Sequence, residues 1–210
     1  MIAYCAADLN YFRLYFDLWA TQMNLHYPGM HKIVAVYNPD QSVEEKCKDY
    51  GVELRTATLP NNPTRAHYYL LRWLNLPYDT GQYILETQIN CLAVAKQNFE
   101  IQTVDHMRIC RYKRNTISGI SAAVFKFDAA KRIVNQAESM LENPFDGDHP
   151  MNSWQAHNLT WDKVLAEQQF KQKNAKIEPW CCWITAGTSQ HYTAEQKLEL
   201  LNYYIKESQK

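Results

Sequence analysis

The stretch CAADLNYF, from Cys5 to Phe12, gathers a carboxylate (Asp8), a carboxamide (Asn10) and an aromatic ring (Tyr11) within four residues, just after an apolar run. A carboxylate accepts hydrogen bonds from N–H groups, a carboxamide both donates and accepts, and a phenol ring offers a face for stacking. Together they can hold a flat, hydrogen-bonding ligand. The same residues also fit a local role, with Asp8 capping the following helix and Tyr11 entering the core. Further polar groups lie downstream. Asp146 and Asp148 in FDGDHPMNSW can accept a proton or bind hydroxyls, or simply form turns. In ITAGTSQHYT, the residues Gly187, Thr188, Ser189 and His191 can line a phosphate with N–H groups and hydroxyls. A polar loop with Thr193 as a helix N-cap explains that segment equally well. No G-x-x-x-x-G-K-S/T loop, G-x-G-x-x-G turn, G-x-S-x-G elbow or H-E-x-x-H helix occurs. The commonest competing sites on α/β scaffolds are thereby excluded.

Positioning Asp8 requires a strand that ends there. IAYCAA (residues 2–7) is short and apolar, as a buried strand is. Phe12, Tyr15, Phe16, Trp19 and Met23 follow at three- and four-residue steps, the period of a helix. KIVAVY (32–37) predicts a second strand, a short helix through Glu44 and Cys47 a crossover, and VELRTATL (52–59) a third strand. A helix through Arg65, Tyr69 and Trp73 and a strand at YILETQI (83–89) repeat the alternation. Such a β-α-β-α-β succession implies a parallel sheet with ligands at the carboxyl ends of the strands. Later pieces are less regular. Strands are expected at 99–104, 118–127 and in PWCCWIT (179–185), with helices at about 129–141, 161–172 and 193–207 and a loop at 143–159.

CAADLNYF resembles the opening motif of GT-A glycosyltransferases of the lipopolysaccharide galactosyltransferase and glycogenin type, whose first strand ends in a similar Ala-Asp-x-x-Tyr sequence. The resemblance implies a nucleotide site in which Ala7, Asp8 and Asn10 meet the uracil and ribose of a UDP-sugar and Tyr11 stacks on the base. RAHYYLLRWLNLPYDTGQYILETQINCLAV (65–94) resembles the helix, loop and strand that lead into the family's D-x-D motif. Arg65, and with it Arg72, is the candidate phosphate contact. Glu86, Thr87 and Gln88 stand at the D-x-D position. Two carboxylates there normally share a divalent cation that bridges the diphosphate, whereas Gln88 contributes only a carbonyl oxygen. The resemblance therefore implies Mn²⁺ or Mg²⁺ on a depleted set of Glu86, Gln88 and His191, and leaves metal dependence open. The family's C-terminal H-x-x-G-x-x-K-P-W pattern is not reproduced. TISGISAAVFKF resembles the strand after which the family places a substrate-binding acidic segment, which implies Asp148, with Asp146 in reserve, at the reacting sugar. Trp154, His157 and Trp161 suit an acceptor platform or a core.

The resemblance implies an α/β fold: a single Rossmann-like GT-A domain over 1–210, with a mostly parallel central sheet flanked by helices. Residues 1–94 would form the nucleotide half and 95–210 the acceptor half. The implied enzyme is a hexosyltransferase that takes UDP-glucose or UDP-galactose to a saccharide or other hydroxyl acceptor. A non-catalytic nucleotide- or glycan-binding module with a degenerate D-x-D is the alternative, and a nucleotidyltransferase on a similar sheet is disfavoured because no Gly- and Lys-rich loop follows the first strand. Composition limits the partners. The 210 residues carry 22 basic and 22 acidic side chains, so no field of one sign recommends nucleic acid or an anionic membrane. With 14 Tyr, 6 Trp and 7 Phe against 6 Gly, aromatic rings suffice both for stacking and for a large core. No apolar window reaches the ~18 residues of a membrane span, and the six cysteines show no C-x-x-C spacing. A cytoplasmic protein with reduced thiols is expected, as monomer or homodimer.

Overall fold

In a computed structural model of the chain, the sheet expected from the first ninety residues is present. The structure describes residues 1–59, 61–63, 65–93, 96, 106–113, 116–142, 172–176, 181–183 and 199. Its elements are β1 (Ile2–Asp8), α1 (Leu9–His26), β2 (His31–Tyr37), α2 (Gln41–Asp49), β3 (Glu53–Ala57), α3 (Arg65–Leu74), β4 (Ile84–Thr87), β5 (Cys91–Ala93), β6 (His106–Lys113), β7 (Thr116–Phe125), α4 (Phe127–Glu142), β8 (Gln172–Lys176) and β9 (Cys181–Trp183).

Seven strands form one sheet in the order β3-β2-β1-β4-β7-β6-β8, and β5 pairs with β9 in a separate ribbon. β3, β2, β1 and β4 run parallel, and β7 alone opposes its neighbours. After β1 the chain moves outward through β2 to β3, then returns past β1 to β4. Chain order thus reverses between β1 and β4, and a topological switch point lies at their carboxyl ends.

Strand alternation divides the core into two layers. Ala3, Cys5, Val34, Val36 and Leu85 face α1 and α2, meeting Phe12, Phe16, Trp19, Val43 and Cys47. Ile2, Tyr4, Ile33, Ala35 and Ile84 face α3 and α4, meeting Leu70, Trp73, Ala130 and Ile133. β1 and β2 are covered on both sides, which is why they read as apolar runs, whereas β3 is only half-buried.

Three elements differ from expectation. The strand expected over 83–89 ends at Thr87, where a turn closes with the Cys91 N–H donating to the Gln88 carbonyl at 2.8 Å and leads into β5. β6 occupies 106–113, and the strand expected at 99–104 lies outside the described residues. Residues 172–176 form β8. Across β6, β7 accommodates two extra residues, with register shifts around Cys110 that skip Ser121 and Gly119. A glycine suits such an irregularity because it has no side chain to pack.

Candidate functional site

Asp8 is the last residue of β1 and the N-cap of α1, with φ −73° and ψ 169°. Its Oδ1 accepts from the Tyr11 N–H at 2.8 Å. An aspartate at this point satisfies one of the free donors of the helix start and has its carboxylate fixed in return. The local role is therefore real, and it also aims the carboxylate at the strand-end edge. Ala7 is buried toward α1, whereas Asn10 is exposed on the first turn. Tyr11 is half-buried, its ring tilted at 5.6 Å from Tyr15. The structure thus brings Asp8, Asn10 and Tyr11 to one corner of the sheet.

The adjoining corner is built alike. Asp40 caps α2, accepting from Val43 N–H at 3.2 Å and from the Ser42 hydroxyl at 2.6 Å. Arg13 of α1 reaches it at 2.7 Å. The Ser42 hydroxyl above all, with Val43 N–H and Arg13, holds the Asp40 carboxyl below its usual range. These contacts tie the starts of α1 and α2 together beside Asp8.

The segment matched to D-x-D is arranged differently from the expectation. Glu86 is fully buried on the α3 side of β4, next to Tyr4 in the ladder. Its Oε1 accepts from Arg72 Nη1 at 3.3 Å, and the Arg72 guanidinium lies 4.1 Å from the Trp73 ring centroid. Burial pushes the Glu86 carboxyl up to about 7 against the opposing pull of Arg72, and burial also lowers Arg72. Glu86 Oε2 and the Tyr4 hydroxyl have no hydrogen-bond partner among the described residues. Thr87 faces the other layer, where its Oγ1 accepts from Trp19 Nε1 at 2.8 Å. Neither side chain stands at the edge. Arg72, with only 6% of its surface exposed, belongs to the interior as well.

The polar residues that do follow β4 are Gln88, half-buried, and Asn90, buried in the turn. Of Glu86, Thr87 and Gln88, only Gln88 lies beyond the end of β4, and Asn90 follows it in the turn. Both are amides. Among the described residues no three of His, Cys, Asp and Glu gather to hold a metal ion. With Glu86 bound to Arg72, the described residues do not fit Mn²⁺ or Mg²⁺ at β4.

Arg65 begins α3, at the same strand-end edge. Asp146, Asp148, Trp154, His157, Trp161, Gly187, Thr188, Ser189 and His191 lie outside the described residues, as does the expected C-terminal helix apart from Glu199, which is helical. Tyr37, the register partner of Asp8, and Tyr68 of α3 also stand at this edge. They pair edge-to-face at 5.9 Å and 83° near Asp8, and only the placement of β2's last residue signals them.

No family model and no curated protein matches the sequence. Solved structures do match in fold. The apo form of the glycosyltransferase GlyE of Streptococcus pneumoniae superposes with a TM-score of 0.55 at 8% identity, over 82% of this chain and 44% of that one. The chain thus spans less than half the length of GlyE. A 4-diphosphocytidyl-2C-methyl-D-erythritol synthase from Anaerococcus prevotii gives 0.55 at 10% identity, over 100% of this chain and 99% of that one. The mannosyltransferase PcManGT of Pyrobaculum calidifontis, in complex with GDP-Man and Mn²⁺, gives 0.50 at 11%, over 86% and 55%. The chain has the α/β, Rossmann-like GT-A fold that these glycosyl- and nucleotidyltransferases share. No helix among the described residues is long and apolar enough to cross a membrane.

Proposed function

We propose that the chain is a glycosyltransferase that binds a nucleotide sugar, UDP-glucose or UDP-galactose, at the carboxyl ends of β1 and β4 and passes the hexose to a hydroxyl acceptor. One observation carries this reading: Asp8, Asn10 and Tyr11 stand together at the strand end beside the switch point. Asp8 accepts the imide N–H of the base while its Oδ1 stays fixed by the Tyr11 N–H. Asn10 meets the ribose, and the small Ala7 lets the nucleotide approach the strand. Tyr11 stacks on the base. Arg65 and Gln88 approach the diphosphate, with the N–H groups of the α3 start adding to the field on it.

In the transfer, the bond from the anomeric carbon to the diphosphate oxygen breaks and a bond to the acceptor oxygen forms. The nucleoside diphosphate leaves, and Asp148, or Asp146 in its place, takes the acceptor proton. Residues 1–94 supply the nucleotide side and 95–210 the acceptor side. Release of UDP from UDP-glucose or UDP-galactose in the presence of saccharide acceptors tests the reading. Turnover abolished in Asp8→Ala supports it, and turnover indifferent to Asp8 contradicts it. Tight binding without turnover would identify the non-catalytic module instead.

The superposition over nearly the whole length of the cytidylyl-transferring synthase favours nucleotidyl transfer as a second reading. Pyrophosphate released from CTP or UTP on addition of a sugar phosphate would identify that activity.

A further inference from the structure

Two aromatic side chains at the strand-end edge have no part in the chemistry above. β2 ends at Tyr37, and across the β1–β2 ladder its partner is Asp8. Alternation places Tyr37 on the layer of Ile33 and Ala35, beneath α3 and α4, and it packs against that cluster as a half-buried residue. Tyr68, in the first turns of α3, meets it edge-to-face, with ring centroids 5.9 Å apart and planes at 83°. Its helix neighbours Leu70, Leu71 and Trp73 are buried, yet Tyr68 is 41% exposed. The next residue of the chain, Asn38, is exposed with φ 51°, so the main chain turns sharply directly after Tyr37.

An edge-to-face pair uses one face of one ring and the edge of the other, which leaves ring face available to a third planar group. The packing of Tyr37 fixes the pair's orientation in advance, so little side-chain entropy is lost when a ligand arrives. The wall lies on the α3 side of Asp8, whereas Tyr11 lies on the α1 side against Tyr15.

We propose that Tyr37 and Tyr68 form an aromatic wall at the ends of β1 and β2 that takes the flat base of a nucleotide beside the Asp8 carboxylate. The proposal rests on the nucleotide-binding reading of this edge and adds to it a second aromatic surface for the base, across Asp8 from Tyr11. A base stacked on an aromatic side chain contributes enough that truncation weakens binding by roughly 5- to 100-fold. Because Tyr68 is on the surface of α3, replacing it leaves the core intact.

The test is calorimetric titration of UDP, uridine and inorganic pyrophosphate into the full chain, as wild type, Tyr68→Leu, Tyr68→Phe and Asp8→Ala, with thermal unfolding recorded for each. The expected result is that Tyr68→Leu weakens UDP and uridine by about tenfold or more, leaves pyrophosphate within about twofold, and unfolds with the wild type. Tyr68→Phe, which keeps the ring face, binds UDP like the wild type. UDP binding that is lost in Asp8→Ala but unchanged in Tyr68→Leu overturns the wall and leaves the nucleotide reading standing. Equal weakening of UDP and pyrophosphate in Tyr68→Leu also overturns the wall, because the effect is then not on the base. A wild type that binds neither UDP nor uridine overturns both.

Discussion

The Arg72–Glu86 pair allows a quantitative test of what the β4 carboxylate does. Both side chains are withdrawn from solvent, at 7% and 0% exposure, and one hydrogen bond of 3.3 Å joins them. In such a pair the desolvation of two ions offsets most of their attraction, but removing one partner strands the other. Glu86→Leu leaves the buried guanidinium its Trp73 ring contact but not its carboxylate, and its cost is about 3–5 kcal/mol. Arg72→Met leaves a carboxyl already raised to about 7, which escapes part of the penalty by taking up a proton. Its cost at pH 7 is about 3 kcal/mol. The double variant Arg72→Met/Glu86→Leu replaces both ions with apolar groups and is expected within about 1 kcal/mol of wild type or above it. Urea unfolding at pH 7 gives the four free energies and a coupling of several kcal/mol. Since neither side chain reaches the edge, the double variant should also bind UDP within about twofold of wild type, a limit well inside one hydrogen bond. Single losses below about 1 kcal/mol, or a double loss equal to the sum of the singles, would mean that the pair is solvated and uncoupled, contrary to its burial.

Stability should fall as pH rises across the range set by Glu86. Its carboxyl titrates near 4.5 when unfolded and at about 7 when folded, so between these values the folded state keeps a proton that the unfolded state releases. The loss is about 3 kcal/mol and levels off above pH 7; the urea midpoint at pH 5 and pH 8 measures it, and the slope should vanish in the Arg72→Met/Glu86→Leu variant. Thr87→Val leaves the buried Trp19 indole N–H without its acceptor, and a loss of about 1–3 kcal/mol is expected in urea unfolding. Asp8→Asn keeps the α1 cap, whereas Asp8→Ala loses it for about 1 kcal/mol. Both should lose UDP affinity, because an amide presents a donor or a weaker acceptor where the charged carboxylate stood; thermal unfolding separates the cap from the ligand effect.

β1, α1 and β2 were readable because strands buried on both faces are continuous apolar runs and α1 shows a full helical period. The periods of Phe12, Phe16 and Trp19 correspond to the layer they fill. Legibility failed where the pattern is set by partners instead of by the segment. β8, QKNAK, has a single apolar residue and, among the described residues, pairs with β6 alone as the last strand of the sheet, a place where lysines are tolerated. β6, HMRICRYK, alternates polar and apolar residues until the register shifts at Cys110, where the alternation changes phase and obscures the strand. At the site, Asp8 was legible because a carboxylate directly after an apolar strand is a local feature. Glu86 misled because sequence order does not show which layer a strand residue faces. Tyr4, its ladder neighbour, lies on the α3 layer, and so does Glu86. Tyr37 and Tyr68 come together only through tertiary packing, 31 positions apart in the chain.

On the proposed function, the end of β1 binds the nucleotide of a nucleotide sugar without a cation held by Glu86. Calorimetric titration of UDP, UDP-glucose and UDP-galactose, with Mn²⁺ and again with EDTA, into wild type and Asp8→Ala tests it most directly. Binding that persists in EDTA and disappears in Asp8→Ala is the predicted result. Absence of binding under both conditions, or binding that survives the loss of Asp8, would contradict the claim and leave the likeness to the transferases as one of fold.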